Sequence, residues 1–385
     1  MSEAIVIAAG GTGGHFFPAE ALGAELLARG HRLVLMTDRR GGQREAGVFT
    51  RGAQHVLPGA GIAGRGLGGR VRSLAAIGAG VLEARGILRR LNPAAVVGFG
   101  GYPSVPPLLA ARLLGARRPA IVLHEGNAVL GMANAQLARF ADTVATSFAN
   151  TARLPMGAEV TLTGMPVRPD IAALAGQPYE PAGETINLLI WGGSLGARVF
   201  ADIMPDVLGN FEPGLRARLR VTQQARAEDV DRVRGAYGQA KIPAEVAPFL
   251  RDIPSLLAAA HLVIGRAGGS SVAEITVAGR PALLVPLPIA AGDEQTANAT
   301  ALVAAGGGWL VAQPHFNAAG LSTLLPTLLT DPLALPSAAA ASARLGRPDA
   351  ARRLADLVEA ALRRPASSAI RSASRPPASR EKTTA

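Results

Sequence analysis

The chain has 385 residues, of which 49% are hydrophobic and 17% charged, a composition typical of a well-packed α/β protein with two domains. It contains no cysteine, which excludes disulfides, thiol nucleophiles and cysteine-ligated zinc. We find no apolar run as long as a membrane span and no secretory signal pattern, so we expect a cytosolic setting. The net charge of +11 suits phosphorylated ligands or anionic lipid; with 4% aromatic residues, nucleic acid is not expected as a partner.

Short apolar runs alternate with helical patterns along the chain, which predicts parallel sheets joined by crossover helices. We expect strands at residues 4–9, 32–37, 95–98, 120–124, 142–146, 187–191, 219–222, 246–249, 262–265, 282–286 and 308–311. Each half opens with a strand, a glycine turn and a helix, which predicts two Rossmann-like domains. We place an N-terminal domain at 1–165, a C-terminal domain at 166–345, a C-terminal helix able to pack back on the first domain at 346–364, and a disordered basic tail at 365–385.

The first glycine turn lies in residues 8–20 (AAGGTGGHFFPAE), before a helix that we expect to begin at Pro18 and to cover residues 19–29. Its glycines can adopt positive φ, and a glycine turn at a helix N-terminus favours anion binding. His15 could transfer a proton near pH 7. The alternative is a short strand-to-helix turn in which the histidine has no functional role. The turn lacks the third glycine of the dinucleotide fingerprint, and the chain has no Walker A tripeptide.

Three further glycine turns follow predicted strands, at residues 98–104 (GFGGYPS), 192–198 (GGSLGAR) and 265–271 (GRAGGSS). Since ligands of open α/β sheets bind beyond the carboxyl ends of strands, two facing domains would bring all four turns to one cleft. Glu274 lies about one turn into the helix predicted after residues 265–271. Its carboxylate could accept hydrogen bonds from both hydroxyls of a ribose while the N-terminus of that helix binds a diphosphate. A capped helix with an acidic residue near its N-terminus is the alternative.

Two other segments carry polar groups at strand ends. Residues 124–127 (HEGN) supply an imidazole, a carboxylate and an amide, and residues 293–298 (DEQTAN) could bind sugar hydroxyls through Asp293, Glu294, Gln295 and Asn298, or form an ordinary polar helix start. We find no H-E-x-x-H, no D-x-D at a strand end and no histidine cluster, so no catalytic metal is predicted.

Residues 65–90 mix arginine with apolar residues near helical spacing. Leu67, Val71, Leu74 and Leu82 would form one apolar stripe beside a basic surface. Such a helix can lie on anionic lipid; an ordinary helix packed on the sheet, with its arginines in solvent, is the alternative.

Taken together, these motifs resemble the MurG family, the bacterial glycosyltransferases that add N-acetylglucosamine to lipid I. The resemblance implies a GT-B architecture, with two Rossmann-like domains across a cleft. It also implies an inverting transfer from UDP-N-acetylglucosamine to the 4-hydroxyl of the muramoyl sugar of lipid I, forming lipid II for peptidoglycan. The motifs cover about residues 1–362 in the family's order: 10–19 (GGTGGHFFPA), 98–104 (GFGGYPS), 124–127 (HEGN), 164–168 (GMPVR), 192–198 (GGSLGAR), 249–253 (FLRDI), 267–275 (AGGSSVAEI) and 293–299 (DEQTANA).

The resemblance implies roles for individual residues. His15 is the candidate general base, with Glu125 as the alternative. Among donor contacts, Arg168 and Ser194 would lie near the diphosphate, the Leu250 backbone near uracil, Glu274 at the ribose and Gln295 at the sugar. The full donor set is Thr12, Gly13, Gly14, Asn127, Arg168, Ser194, Leu250, Gly269, Ser270, Glu274 and Gln295. Acceptor contacts are expected at Gly100, Gly101, Tyr102 and His124. Leu195 and Gly126 depart from residues common at their positions.

No cofactor is expected, with stimulation by a divalent cation left open. Expected partners are UDP-N-acetylglucosamine, lipid I, an anionic membrane surface and cell-wall synthesis and division proteins, at the cytoplasmic face of the inner membrane as a peripheral protein. Three alternatives remain at this point: a related transferase with another UDP- or dTDP-sugar and acceptor, a nucleotide-sugar-binding or scaffold protein without turnover, and an NAD-dependent dehydrogenase.

Overall fold

The structure is a computed structural model that describes residues 3–10, 13–39, 41–58, 67–193, 197–288 and 292–363, with the backbone alone for 67–71. Thr12 and Ser194 of the predicted donor site, and the predicted tail at 365–385, lie outside the described residues. Two parallel sheets, each covered by helices on both faces, make up the described part of the chain.

The N-terminal sheet consists, in the described residues, of β1 (Ala4–Ala8), β2 (Arg32–Asp38), β3 (Ala53–Leu57), β4 (Ala95–Gly98), β5 (Ala120–Glu125), β6 (Thr143–Thr146) and β7 (Val160–Leu162). These strands are all parallel, in the order β3-β2-β1-β4-β5-β6-β7. The helices along this part of the chain are α1 (Gly13–Ala28), α2 (Leu67–Leu91), α3 (Gly101–Arg112), α4 (Met132–Leu137) and α5 (Pro169–Ala172).

The C-terminal sheet consists, again in the described residues, of β8 (Ile186–Trp191), β9 (Leu219–Gln224), β10 (Ala244–Ala247), β11 (Leu262–Gly265), β12 (Ala282–Leu284) and β13 (Gly308–Leu310). It is also parallel, in the order β10-β9-β8-β11-β12-β13. Its helices are α6 (Arg198–Gly209), α7 (Pro213–Ala217), α8 (Val230–Gln239), α9 (Ile253–Ala259), α10 (Gly269–Val277), α11 (Glu294–Ala304), α12 (Ala318–Thr330), α13 (Ala334–Leu345) and α14 (Ala350–Leu362).

Burial on both faces explains why the central strands read as continuous apolar runs. In β1, Ile5 and Ile7 pack on one side of the sheet, and Val6 and Ala8 on the other. The C-terminal sheet has the same two-sided core. The predicted strands are confirmed with one shift: β10 lies two residues earlier than expected, because Pro248 has no N–H to continue the ladder. The edge strands β3 and β7 were not predicted.

The last helix of the described chain covers the N-terminal sheet. Leu354 and Val358 of α14 are fully buried in the same cluster as Ile5 and Ile7. The Arg29 guanidinium binds carboxylates on both sides of this contact, at 2.9 Å from Glu25, 2.7 Å from Asp356 and 2.9 Å from Glu359. His31 Nε2 lies 3.0 Å from Glu359. The last described helix therefore completes a core built by the beginning of the chain.

Helix α2 occupies the segment in which a basic amphipathic helix was expected. Leu74 and Leu82 are 58% and 71% exposed, whereas Ala84 and Leu88 are fully buried against the sheet. The side chains of Leu67 and Val71 lie outside the description. No single helix in the described ranges is long and apolar enough to cross a membrane; the pair Ala318–Thr330 and Ala334–Leu362 passes that test only when joined across an 85° bend. Contact of α2 with lipid stays a prediction.

Candidate active site

The glycine turns of the two sheets lie together at the carboxyl ends of their strands. Ser104 Oγ donates to the carbonyl oxygens of Ala8 and Gly100 at 3.0 and 2.9 Å, which ties the second turn to the first. Ser270 Oγ donates to the Gly14 carbonyl at 3.1 Å, which ties the fourth turn to α1 of the other domain. The described parts of these turns thus line one interdomain cleft, where open α/β sheets bind ligands.

The first turn differs from its prediction, because α1 begins at Gly13 and Pro18 lies inside the helix. None of its described glycines has a positive φ; Gly100 and Gly101 of the second turn do, at 83° and 67°. Since Pro18 has no N–H, the Gly14 carbonyl four residues earlier lacks its helical donor. That carbonyl accepts the Ser270 hydroxyl instead. The proline therefore frees a backbone acceptor for the opposite domain.

His15 lies in the first turn of α1, next to the second glycine turn: a Cβ on Gly101 would be 3.9 Å from its Cε1. Burial lowers the pKa of His15 below its ordinary value of 6.5. The imidazole is therefore largely neutral at pH 7. Within the described residues its side chain has no hydrogen-bond partner, so a ring nitrogen is available to accept a proton.

His124, at the end of β5, is placed differently. Its Nε2 lies 3.2 Å from the Gly164 carbonyl and 3.4 Å from Ser147 Oγ, and the side chain is 1% exposed. Burial lowers the pKa of His124 to about 4, with His15 as a further lowering influence. This second neutral imidazole is held by protein groups, so the structure favours His15 as the proton acceptor.

The Glu125 carboxylate is surrounded by donors. It accepts from the backbone and side-chain amides of Asn127 at 2.9 and 3.0 Å, from Gly131 N at 3.0 Å and from Asn134 Nδ2 at 2.8 Å. Burial raises the pKa of Glu125 and these hydrogen bonds oppose the rise. Each carboxylate oxygen accepts two hydrogen bonds, so Glu125 holds the loop after β5 in place. It has little remaining capacity to take a proton from the hydroxyl of an acceptor substrate.

The buried Glu274 and the partly exposed Arg168 form a pair with unmet hydrogen-bonding capacity. Glu274, in α10, is 4% exposed, and its Oε1 lies 3.5 Å from Arg168 Nη2. Glu274 Oε2 and Arg168 Nε are both buried without a partner in the part of the chain that the structure describes. Burial raises the pKa of Glu274 to about 7, against the opposing charge of Arg168. A ligand that offers hydroxyl donors and anionic oxygens would satisfy both atoms.

The remaining donor-site candidates lie around this pair. Leu250 is buried after β10 and its neighbour Phe249 is 64% exposed. Gln295 Oε1 accepts from Leu287 N at 3.0 Å, which leaves its amide nitrogen without a partner in the described chain. Asn298 is completely buried and bonds to protein groups, so the structure gives no support for sugar binding by this residue.

One arginine was not singled out from the sequence. Arg266, directly after β11, donates to the carbonyls of Val285 and Pro286 at 2.9 and 3.1 Å and to Gln313 Oε1 at 2.6 Å. Among described residues it pairs with no carboxylate, and burial lowers its pKa. An arginine inside a glycine turn at a strand end was the available signal.

Within the described ranges no group of three or more His, Asp or Glu side chains is arranged to hold a metal ion. That the chain needs no cofactor stays a prediction. Gly13, Gly14, Gly100, Gly101 and Tyr102 lie on the N-terminal side of the cleft, across from Gly269 and Ser270.

Comparisons with known proteins agree with this geometry. The Glycosyltransferase family 28 N-terminal domain matches residues 5–146 and the C-terminal domain of that family matches residues 187–354. A Gluconobacter oxydans protein named UDP-N-acetylglucosamine--N-acetylmuramyl-(pentapeptide) pyrophosphoryl-undecaprenol N-acetylglucosamine transferase is 58% identical over 94% of this chain and all of that protein. An Acidiphilium cryptum protein of the same name is 51% identical over 94% of this chain and 98% of its own length.

Among solved structures, Acinetobacter baumannii MurG superposes with a TM-score of 0.75 and 31% identity, over 93% of this chain and 99% of that one. The chain belongs to the MurG family. The predicted GT-B architecture is confirmed. The calicheamicin glycosyltransferase CalG4, with a TM-score of 0.65 and 18% identity over 95% of this chain and 99% of that one, shares the fold alone. Family membership makes the chain a glycosyltransferase and removes the dehydrogenase alternative.

Proposed function

We propose that this MurG-family chain transfers N-acetylglucosamine from UDP-N-acetylglucosamine to the 4-hydroxyl of the muramoyl sugar of lipid I, with inversion, to form lipid II. The observation that carries the proposal is the Glu274–Arg168 pair, whose buried Oε2 and Nε atoms have no partner among the described residues. A nucleoside diphosphate supplies ribose hydroxyls for the carboxylate and phosphate oxygens for the guanidinium. The names of the similar transferases supply the sugar and the acceptor.

The chemistry follows from the division of groups across the cleft. The acceptor hydroxyl attacks the anomeric carbon, its proton passes to the neutral His15, and the bond to the diphosphate breaks with its electron pair leaving on UDP. Positioned base catalysis of this kind contributes roughly 10²–10⁴ in rate. The N-terminus of α10 and Arg168 stabilise the charge that develops on the diphosphate.

Inversion follows if the acceptor attacks from the N-terminal domain while UDP leaves toward the C-terminal domain, in a single displacement. A retaining double displacement needs a second nucleophile that forms a covalent intermediate. Glu125, the carboxylate of the HEGN segment, is committed to four hydrogen bonds. This supports single displacement with His15 as the base.

We propose that the donor binds to the residues named above on the C-terminal side of the cleft, that Thr12, Gly13, Gly14 and Asn127 close over its sugar, and that Gly100, Gly101 and Tyr102 contact the acceptor. His124, also expected to contact the acceptor, is buried and bonded to protein groups, so it is left out of this set. We also propose a peripheral position on the cytoplasmic face of the membrane, with α2 on the lipid, supported by the exposure of Leu74 and Leu82. Co-sedimentation with anionic and with neutral vesicles tests the lipid contact. We expect the protein to sediment with the anionic vesicles only.

The deciding experiment is transfer of labelled N-acetylglucosamine from its UDP donor to a short-chain lipid I analogue, with UDP release followed in parallel. Label in the lipid product, β-linked and matched by UDP, is the expected result. UDP release without lipid product would indicate another acceptor or hydrolysis. UDP binding without release would support a nucleotide-sugar-binding protein and contradict the proposal.

A further inference from the structure

The amide of Asn298 bridges the two domains on the side of the cleft that holds the HEGN loop. Asn298 lies in α11 and has no exposed surface. Its Oδ1 accepts from Ala128 N at 2.7 Å, and its Nδ2 donates to Asn127 Oδ1 at 3.0 Å and to the Ala267 carbonyl at 2.9 Å. Two of these three bonds reach the N-terminal domain, and the third holds the glycine turn before α10.

The bridge continues into the N-terminal domain with a fixed direction. Asn127 Nδ2 and its backbone N–H both donate to Glu125 Oε1, so its Oδ1 is left to accept from Asn298. Reversing the Asn127 amide would place two oxygens against each other at Glu125 and two NH₂ groups against each other at Asn298. A chain of hydrogen bonds therefore runs from the end of β5 to the turn before α10, with the fully buried amide of Asn298 at its centre.

The backbones at this junction are as close as glycines allow. A Cβ on Gly269 would lie 2.1 Å from the Gly126 carbonyl oxygen and 3.2 Å from Asn127 Oδ1. On the other side of the same helix terminus, Ser270 bonds to the Gly14 carbonyl that Pro18 leaves free. The N-terminus of α10 is thus held between the loop after β5 and the first turn of α1. The contact with α1 is at Gly14, the residue before His15.

We propose that Asn298 is a positioning residue that fixes the closed arrangement of the two domains and so sets the distance between His15 and the donor site. The inference rests on the proposed function for the identity of the reaction. Since Glu274 and Leu250 lie wholly in the C-terminal domain, UDP can bind there whatever the closure. Asn298 should therefore matter to turnover and not to UDP affinity, because misplacing reacting groups by about 1 Å can cost roughly 10²-fold in rate.

The test compares Asn298→Ala and Asn298→Asp with Asn210→Ala. Asn210 is the control because it caps α6 and, among the described residues, its side-chain amide bonds only to Asp206 of that helix. Asn298→Asp keeps the acceptor for Ala128 N and turns the two donor bonds into oxygen–oxygen contacts with almost no change of volume. We expect kcat to fall about tenfold or more in both variants, with the UDP dissociation constant changed by less than about twofold. The control should behave as the unmodified protein.

Closure itself is measured with a pair of spin labels. Because the chain has no cysteine, Arg117→Cys and Glu212→Cys give two unique label sites, both exposed and at the ends of the sheets away from the cleft. We expect a narrow distance distribution in the double-cysteine background and a broader, longer one when Asn298→Ala or Asn298→Asp is added, with or without UDP. A fall in kcat with an unchanged distance distribution would overturn the proposal.

Two other outcomes would also overturn it. A parallel loss of UDP affinity would make Asn298 part of the donor site, and kcat values equal to the control would reduce it to a packing residue. Failure of the proposed function has a different signature: the unmodified protein would not transfer N-acetylglucosamine, while the distance distributions and UDP affinities would still decide the role of Asn298.

Discussion

The two domains repeat one unit, a buried strand followed by a glycine turn and a helix, yet they present opposite chemistry to the cleft. In the N-terminal domain the first turn of the helix carries His15, a neutral imidazole with no partner among the described residues. In the C-terminal domain the second turn of the helix carries Glu274, a carboxylate paired with Arg168. The shared fold supplies the cleft and the helix termini, and single side chains decide whether a turn moves protons or binds a ligand.

The sharpest way to break this comparison is to remove the imidazole. His15→Ala should lower kcat by roughly 10²–10⁴, because the acceptor hydroxyl loses its base, while UDP affinity stays the same. Steady-state transfer rates and UDP binding by calorimetry measure the two quantities. His315→Ala, which changes an exposed histidine of the C-terminal domain, is the matched control. Unchanged turnover would remove His15 from the mechanism.

The reciprocal change removes the carboxylate. Glu274→Ala should raise the donor KM about 10- to 100-fold, since hydrogen bonds to a charged group are worth about 1.5–3 kcal/mol. Glu245→Ala, on the exposed side of β10, controls for the loss of a negative charge from the same domain. Donor saturation curves check the prediction, and a normal KM would refute the ribose assignment.

The pH dependence should separate the two domains. The carboxylate form of Glu274 binds the donor, so kcat/KM for the donor should fall several-fold as pH drops through its pKa of about 7. The pKa of His15 is lowered, so its base form persists and kcat should decline only below pH 6.5. Rates measured from pH 5.5 to 8.5 test both limbs. Glu274→Gln should flatten the first limb and leave the second; a wild-type kcat/KM that is flat through pH 7 would contradict this assignment.

The smallest effect concerns how each sheet is covered. Helix α14, from the end of the described chain, covers the N-terminal sheet, and Arg29 binds Asp356 of that helix. Arg29→Ala should lower the free energy of unfolding by only about 1 kcal/mol, because Asp356 is half exposed and solvent screens part of the interaction. The melting temperature should fall by a few degrees. Arg234→Ala, which removes a surface pair with the 97% exposed Asp231, should change it less. Equal melting temperatures for the two variants would argue against a stabilising contact at α14.

Much of the fold was readable because strands buried on both faces leave an apolar run in the sequence. The edge strands β3 and β7 were missed because their half-exposed residues dilute that signal. The predicted start of α1 was wrong because proline is typical of the first helical position. Pro18 lies inside the helix instead, and the Gly14 carbonyl that lacks its helical donor accepts a hydrogen bond from Ser270. Two of the three partners of Asn298 lie 170 and 171 residues away, so no local pattern could distinguish a bridge from a sugar ligand.

The position of α14 has a consequence for how the protein is made. A ribosome releases the N-terminal segment first, but the helix that covers Ile5 and Ile7 emerges only after the whole C-terminal domain has been synthesised. Until then the part of that apolar face which α1 does not cover stays exposed, and such a surface is one on which chaperones act. The N-terminal domain is therefore completed last. A polypeptide truncated before residue 350 would contain both sheets but would lack the helix that completes the core of the first.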